Sequence, residues 1–177
     1  MREYVSKNHF GRPDMVDMTR GRNIEWTGIK IQNGPQFHFY WQDMDGVYFH
    51  DFEIYVDIWG QLKLNQFFDS TFGKLSKFPS FPLNTDGIDP SGKNILIERV
   101  KITNFDDAIA VKPMDSRGKI AQCTENVVAR DIEVVYGVGM TIGTVPARSY
   151  YTCVKNVTFQ NVTFHRPLKA IYIKQNP

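Results

Sequence analysis

The sequence predicts an all-β chain folded as a parallel β-solenoid, a stack of similar coils. Two observations predict this fold class: a strand-like segment occurs five times along the chain, and each occurrence begins with Asn or Gly. The segments begin at Asn23, Gly46, Asn94, Asn126 and Asn156. A repeat of short strands at this period is typical of solenoids, in which each coil buries its apolar face only by stacking on its neighbours.

Each repeated segment has an apolar second residue, a short break, and then apolar and polar residues in alternation, as in residues 126–134. Alternation with a period of two indicates strands, and the β-branched content agrees. Equivalent Asn side chains in stacked coils would lie about 4.8 Å apart and could hydrogen-bond from one coil to the next. A β-sandwich also contains many short strands, but it needs no repeated Asn.

The spacing of the segments predicts the coil size. Successive segments begin 23, 48, 32 and 30 residues apart. We interpret the 48-residue interval as about two coils, with an irregular stretch at residues 61–83 inside it. No domain boundary is evident, so residues 1–177 are predicted to form a single domain. Because solenoids need capped ends and neither end resembles a cap, we expect the chain to be part of a longer one.

Composition excludes several classes of partner. The chain has 21 Lys and Arg against 19 Asp and Glu, a net charge of +2, and no basic block, so no nucleic acid is expected. No apolar run reaches the length of a membrane span, and no signal peptide is visible after Met1.

The histidines lack metal-ligand spacing, and we interpret His38 as a structural histidine rather than a cleft residue. We expect a monomer without metal or cofactor.

Three aspartates are the best catalytic candidates. Asp86 precedes Asp106 and Asp107 by about 20 residues, close to one coil, so the three carboxylates are predicted to meet on neighbouring coils. Hydrolysis of a glycosidic bond needs one carboxyl group as acid and another as base or nucleophile. Clustered carboxylates repel, which raises the pKa of at least one of them.

Adjacent residues on an ideal strand point to opposite faces. Asp106 and Asp107 can therefore share a cleft only if the backbone bends or bulges there, and Phe105 could anchor such a bend in the core. An inverting mechanism would further require the acid and base carboxyl groups to lie roughly 6.5–9.5 Å apart.

Four motifs resemble those of a known family. They are Asn-Thr-Asp-Gly at 84–87, Asp-Asp-Ala-Ile-Ala-Val-Lys at 106–112, Gly-Val-Gly-Met-Thr-Ile-Gly-Thr at 137–144 and Tyr-Ile-Lys at 172–174. In this order they resemble the motifs of glycoside hydrolase family 28, the polygalacturonase or pectinase family. The resemblance implies a right-handed parallel β-helix of the pectin lyase-like type and a partial catalytic domain. It also implies an extracellular, metal-independent, inverting hydrolase of the pectin backbone, with a pectic polysaccharide as substrate.

The resemblance also implies residue roles. Asp106 would be the general acid, and Asp86 and Asp107 would activate the water. Lys174, in the motif that Tyr172 begins, would pair with a substrate carboxylate, and Tyr172 would contact the substrate beside it. The coil pattern, and not the resemblance, places Lys112 near the site, where it is expected either to bind a substrate carboxylate or to be a solvated charge at a strand edge.

Two positions depart from the family pattern. Val138 stands where the family has His, and Tyr172 stands where it has Arg, whose bidentate fork Tyr cannot replace. Two alternatives therefore remain open: a rhamnogalacturonan-type hydrolase, and a pectin-binding β-helix without turnover.

The register makes two further predictions. Cys123 and Cys153 each lie three residues before a leading Asn, so they should stack on adjacent coils as a disulfide or as two buried thiols. Asn156 and Asn161 both match the N-glycosylation pattern. The amide of Asn156 should be engaged in the Asn ladder, and Asn161 should be the more accessible.

Overall fold

The computed structural model describes residues 12–63, 83–114, 122–145 and 152–175. Its strands, numbered in chain order, pair in parallel within two sheets. The short-strand sheet contains, in order across it, β1 (Val16–Thr19), β4 (Phe39–Gln42), β6 (Ile88–Asp89), β8 (Asp107–Val111), β10 (Gly139–Val145) and β12 (Ile171–Gln175). The long-strand sheet contains β2 (Arg22–Thr27), β3 (Lys30–Gln32), β5 (Met44–Tyr55), β7 (Gly92–Asn104), β9 (Gln122–Tyr136) and β11 (Thr152–His165).

The chain passes from the short-strand sheet to the long-strand sheet once in every coil. Each long strand pairs with the long strand of the next coil, so Val47 lies beside Ile95, Ile95 beside Val127 and Val127 beside Val157. These are equivalent positions of the repeated segments. The architecture is the right-handed parallel β-helix that the sequence predicted.

The core is a set of apolar rows that run across the coils. In the short-strand sheet, Phe39, Ile88, Ile109 and Met140 form one row and are 0% exposed. Burying a large apolar side chain contributes about 1.5–3 kcal/mol, so each row binds neighbouring coils together. The alternate residues of these strands form the outer row of the sheet. No helix among the described residues is long and apolar enough to span a membrane.

The 48-residue interval is one coil, so its interpretation as two coils is wrong. Val47 pairs directly with Ile95, which leaves no room for a coil between them. The extra residues fall between the end of β5 and the start of β6 in the chain, so they do not interrupt the pairing register of either strand. A short helix at residues 58–63 lies in this connection, and residues 64–82 of the expected irregular stretch lie outside the described residues.

The Asn ladder is confirmed. The side-chain amide of Asn94 donates to Asp45 at 2.9 Å, that of Asn126 to Asn94 at 3.0 Å, and that of Asn156 to Asn126 at 2.7 Å. The three Asn residues have φ between 51° and 57°, and Gly46 at the same position has φ 73°. Asn and Gly adopt this left-handed conformation most readily, which explains why these two residue types begin the segments.

The cysteine register is also confirmed. Cys123 and Cys153 are paired residues of β9 and β11, and they form a disulfide with a Cα–Cα distance of 4.4 Å. Of the two alternatives left open by the sequence, the structure has the bridge.

The two glycosylation motifs are less distinct than expected. Asn156 and Asn161 are both exposed. The amide of Asn156 is engaged as predicted, but the amide of Asn161 is engaged too, because it donates to Asp131 on the preceding coil. Hydrogen bonding therefore does not distinguish the two acceptors.

Candidate active site

A bend between β7 and β8 brings Asp106 and Asp107 to one side of the chain. Strand β7 ends at Asn104 and β8 begins at Asp107, so Phe105 and Asp106 form the bend. The side-chain amide of Asn104 donates to the carbonyl of Asp107 at 2.8 Å, across the bend. Phe105 is 4% exposed and packs edge-on against Tyr136, with ring centroids 5.7 Å apart. The predicted bend and its Phe105 anchor are both confirmed.

Asp86 reaches the pair from the preceding coil. Ile88 pairs with Ile109, and this register places Asp86 beside the start of β8. Asp86, Asp106 and Asp107 each present a carboxylate oxygen within 4.8 Å of the other two. The one-coil spacing of about 20 residues therefore brings the three together as predicted. Their nearest oxygens are closer than the roughly 6.5–9.5 Å expected between the carboxyl groups of an inverting pair.

Asp107 is 0% exposed and accepts hydrogen bonds on both carboxylate oxygens. Oδ1 accepts from the hydroxyl of Thr141 at 2.8 Å and from the hydroxyl of Tyr172. Oδ2 accepts from the ammonium of Lys174 at 2.6 Å. All three partners are hydrogen-bond donors, so the Asp107 carboxylate is held as an acceptor, which is the role that a general base requires.

Asp106 is held by the main chain. The N–H of Asn84 donates to Oδ2 at 2.8 Å, and the N–H of Asp107 donates to Oδ1 at 2.9 Å. Asp106 is half-buried, whereas Asp86 is 4% exposed and Asp107 is 0% exposed. Of the three carboxyl groups, that of Asp106 is therefore the most open to a substrate.

Asp86 is the member of the trio with a raised pKa. Burial is the largest cause of the shift, and the negative charges of Asp89, Asp106 and Asp107 add to it. Its Oδ1 is buried without a hydrogen-bond partner, so nothing at that atom offsets the loss of water. The raised pKa of Asp86 agrees with the prediction that clustering raises at least one pKa, although burial is the larger cause.

Asp89 is a fourth carboxyl group that the sequence analysis missed. It is 0% exposed, and burial raises its pKa. The ammonium of Lys112 lies 3.5 Å away, and its positive charge lowers the pKa by less than burial raises it. Asp89 follows the inward-facing Ile88, so alternation alone places it on the outer row of the short-strand sheet. The same argument could have found Thr141, which follows the inward-facing Met140.

The predicted substrate-binding residues all lie at this site. Tyr172 and Lys174 contact Asp107, and Lys112 contacts Asp89. Burial disfavours the charged form of Lys174, but hydrogen bonds to Asp107 and Tyr172 outweigh it, so the pKa of Lys174 is raised.

Val138, at the position of the family's His, adjoins the trio through its main chain. Its N–H donates to the carbonyl of Asp106 at 2.9 Å. The main chain of residue 138 is therefore hydrogen-bonded directly to the bend that carries Asp106 and Asp107.

His38 is a structural histidine, as interpreted from the sequence. The main-chain N–H of Gly34 donates to Nε2 at 3.2 Å, so Nδ1 carries the proton and donates to the carbonyl of Asp86 at 2.9 Å. Burial lowers the pKa of His38, which keeps the ring neutral. The ring therefore supports the main chain of Asp86 from the preceding coil.

Three convergent carboxylates could in principle hold a hard cation such as Ca²⁺. However, Lys174 already supplies a positive charge to Asp107, and the hydroxyls of Thr141 and Tyr172 occupy its other oxygen. The donors on both oxygens of Asp107, beside an Asp86 whose pKa is raised, instead suit acid–base chemistry.

The sequence matches the family model described as "Glycosyl hydrolases family 28" over residues 5–177. It is 27% identical over 176 residues to a probable endo-xylogalacturonan hydrolase A of Aspergillus flavus, covering 99% of this chain and 37% of that protein. It is 27% identical over 160 residues to an endo-polygalacturonase of Pectobacterium carotovorum, covering 90% of this chain and 33% of that protein. The chain thus spans about a third of the length of these relatives.

Solved structures agree with this match. A hyperthermoactive exopolygalacturonase from Thermotoga maritima superposes with a TM-score of 0.71 at 26% identity, covering 96% of this chain and 33% of that one. An endo-xylogalacturonan hydrolase from Aspergillus tubingensis shares the fold, with a TM-score of 0.61 at 21% identity and coverage of 97% and 48%. The family model extends over almost the whole chain and includes all four motifs, so this chain belongs to glycosyl hydrolases family 28.

Proposed function

We propose that this chain carries the acid–base centre of an enzyme that hydrolyses glycosidic bonds in the backbone of pectin. The observation that carries the proposal is the convergence of Asp86, Asp106 and Asp107 within 4.8 Å. Family membership supports pectin as the substrate class. So do the names of the relatives, a probable endo-xylogalacturonan hydrolase and an endo-polygalacturonase.

In the proposed mechanism, Asp106 protonates the leaving glycosidic oxygen and Asp107 takes a proton from the attacking water. The half-buried position of Asp106 and the hydrogen-bond donors on both oxygens of Asp107 support these roles. The three carboxyl groups are close enough to titrate together. A proton that passes from Asp86 to Asp106 as substrate binds would convert Asp106 to the neutral acid that protonates the leaving oxygen. It would leave Asp86 ionised beside the water.

Sugar carboxylates would be bound by Lys174 and Lys112, and Tyr172 lies beside Lys174 at the carboxylate of Asp107. Each ammonium contacts an aspartate through one N–H and has others to offer a substrate. The disulfide supports a further proposal that the protein works outside the cell, because disulfides persist in oxidising compartments. The reaction requires no cofactor.

Release of reducing ends from polygalacturonate, xylogalacturonan and rhamnogalacturonan tests the proposal. The wild-type chain should release ends from at least one of them, and Asp106→Asn should remove most of that turnover while leaving binding largely intact. Asp17→Asn is the matched control, since Asp17 is exposed on the outer row of β1. Release from rhamnogalacturonan alone would reassign the substrate. Binding without release from any of the three would favour the pectin-binding alternative. NMR of the first-formed anomer tests inversion.

A further inference from the structure

Tyr172 has a single hydrogen-bond donor, and Asp107 already accepts it. A phenol carries one O–H, and the O–H of Tyr172 donates to Oδ1 of Asp107. A sugar carboxylate can only accept hydrogen bonds, so it cannot receive one from Tyr172 while this contact persists. Lys174 differs, because its ammonium has three N–H donors and only one is directed at Asp107.

Tyr172 is also restrained in its orientation. The ammonium of Lys169 lies 4.3 Å from the centroid of the Tyr172 ring, and that of Lys174 lies 5.3 Å from it. Both distances allow cation–π attraction, which favours the ring position from which the hydroxyl reaches Asp107.

Thr141 is a second hydroxyl donor to Asp107, and its strand β10 lies between β8, which carries Asp107, and β12, which carries Tyr172. It pairs with Tyr172 in the register of β10 and β12, and it is 0% exposed. Its hydroxyl donates to the same Oδ1 atom that Tyr172 contacts, while Lys174 contacts Oδ2. Donors from two further coils therefore set both the position of the Asp107 carboxylate and the plane in which it lies.

We infer that Tyr172, together with Thr141, is a positioning residue for Asp107 and not a ligand of the substrate carboxylate. With Lys174, the hydroxyls stabilise the negative charge of Asp107 and leave one lone pair, on Oδ2, to accept from the water. This inference rests on the proposed function, in which Asp107 accepts the proton of that water. Recognition of sugar carboxylates then falls to the lysines.

Tyr172→Phe separates positioning from substrate binding, because it removes only the hydroxyl. A lost hydrogen bond to a charged group corresponds to a decrease in kcat of about tenfold or more, and KM for the active pectin should stay the same. Tyr40→Phe is the matched control, because Tyr40 lies on the same outer row in β4.

Thr141 offers a rescue experiment. Thr141→Val removes the second donor to Oδ1 with little change in shape and should reproduce the effects of Tyr172→Phe. Thr141→Ser keeps the hydroxyl and should restore most of kcat. A rise in KM at constant kcat in Tyr172→Phe would overturn the inference, because it would make Tyr172 a substrate contact.

Two measurements judge the inference even if the chain proves inactive. Burial and the hydrogen bond with Asp107 raise the pKa of the Tyr172 phenol, so Asp107→Asn should lower that pKa, as followed by NMR of labelled tyrosine. An unchanged phenol titration would overturn the inference. Calorimetry in the Asp106→Asn background should show equal affinity for oligogalacturonate with Tyr172 or Phe at this position, and weaker binding with Phe would also overturn it. Absence of turnover in the wild-type chain would refute the proposed function alone.

Discussion

The main-chain N–H of Gly87 donates a 2.9 Å hydrogen bond to the carbonyl oxygen of Asp107. This bond joins neighbouring coils at the point where Asp86 meets Asp107, so the geometry of the trio depends on how closely the two backbones approach. The approach requires glycine, because a Cβ at position 87 would lie 2.4 Å from the carbonyl oxygen of Ala108.

Gly87→Ala should therefore destabilise the fold and separate the carboxylates. Forcing an extra methyl group into such a contact costs about 1–3 kcal/mol, which urea unfolding would measure. Turnover should fall further than the loss of folded protein explains. Gly28→Ala is a useful comparison, because Gly28 has φ 74° but a Cβ added at this position would have no atom within 4 Å. It should cost about 1 kcal/mol through backbone strain and leave turnover unchanged.

Asp86→Asn should stabilise the fold in a pH-dependent way. The pKa of Asp86 is raised above its ordinary value of 3.8, so the folded state binds this proton more tightly than the unfolded state does. The stabilisation from the neutral carboxyl group is complete below pH 3.8 and is lost as pH rises through the folded pKa. A neutral Asn avoids this loss.

The gain in stability from Asp86→Asn should therefore be absent near pH 3 and reach about 1–3 kcal/mol near neutral pH. Thermal unfolding across this pH range would measure it, and turnover should be lost in the same variant. Asp17→Asn should follow the wild-type curve. A gain that did not depend on pH would contradict the assignment of the proton to Asp86.

Removing the disulfide should weaken the two coils that it joins. The bridge closes a sequence separation of 30 residues, for which chain entropy predicts a stabilisation of about 3–4 kcal/mol. Replacing both Cys123 and Cys153 by Ser should lower the free energy of unfolding by that order. Reductant should destabilise the wild-type chain but not the double variant, and equal sensitivity of the two would show that the bridge does not form in solution.

Substitutions at Asn126 separate the two roles of the ladder residue. Asn126 has φ 57°, donates to Asn94 and accepts from Asn156. Asn126→Gly loses the side-chain hydrogen bonds but keeps a backbone that tolerates this conformation, whereas Asn126→Ala loses both. Urea unfolding should rank wild type above Gly and Gly above Ala, with about 1 kcal/mol between the last two. Equal losses would mean that only the hydrogen bonds matter.

Much of the site could be predicted because it follows the coil period. Asp86 meets Asp106 and Asp107, and Cys123 meets Cys153, since residues one coil apart stack whatever lies between them. Asp89 and Thr141 were missed for a different reason. Asp89 lies outside the four motifs, and Thr141 lies in one of them without a role of its own there, so each gains a role only from the register that aligns β6, β8, β10 and β12.

The sequence by itself determined the periodic features of this protein: the repeated strands, the leading Asn residues and the trio of aspartates. These depend on local alternation and on a spacing that can be read along the chain. Only the tertiary structure decided that the 48-residue interval is a single coil, that burial raises the pKa of Asp86, and that Tyr172 donates to Asp107. Each of these depends on which groups lose contact with water and which distant side chains they meet instead, and both are properties of the packed coils.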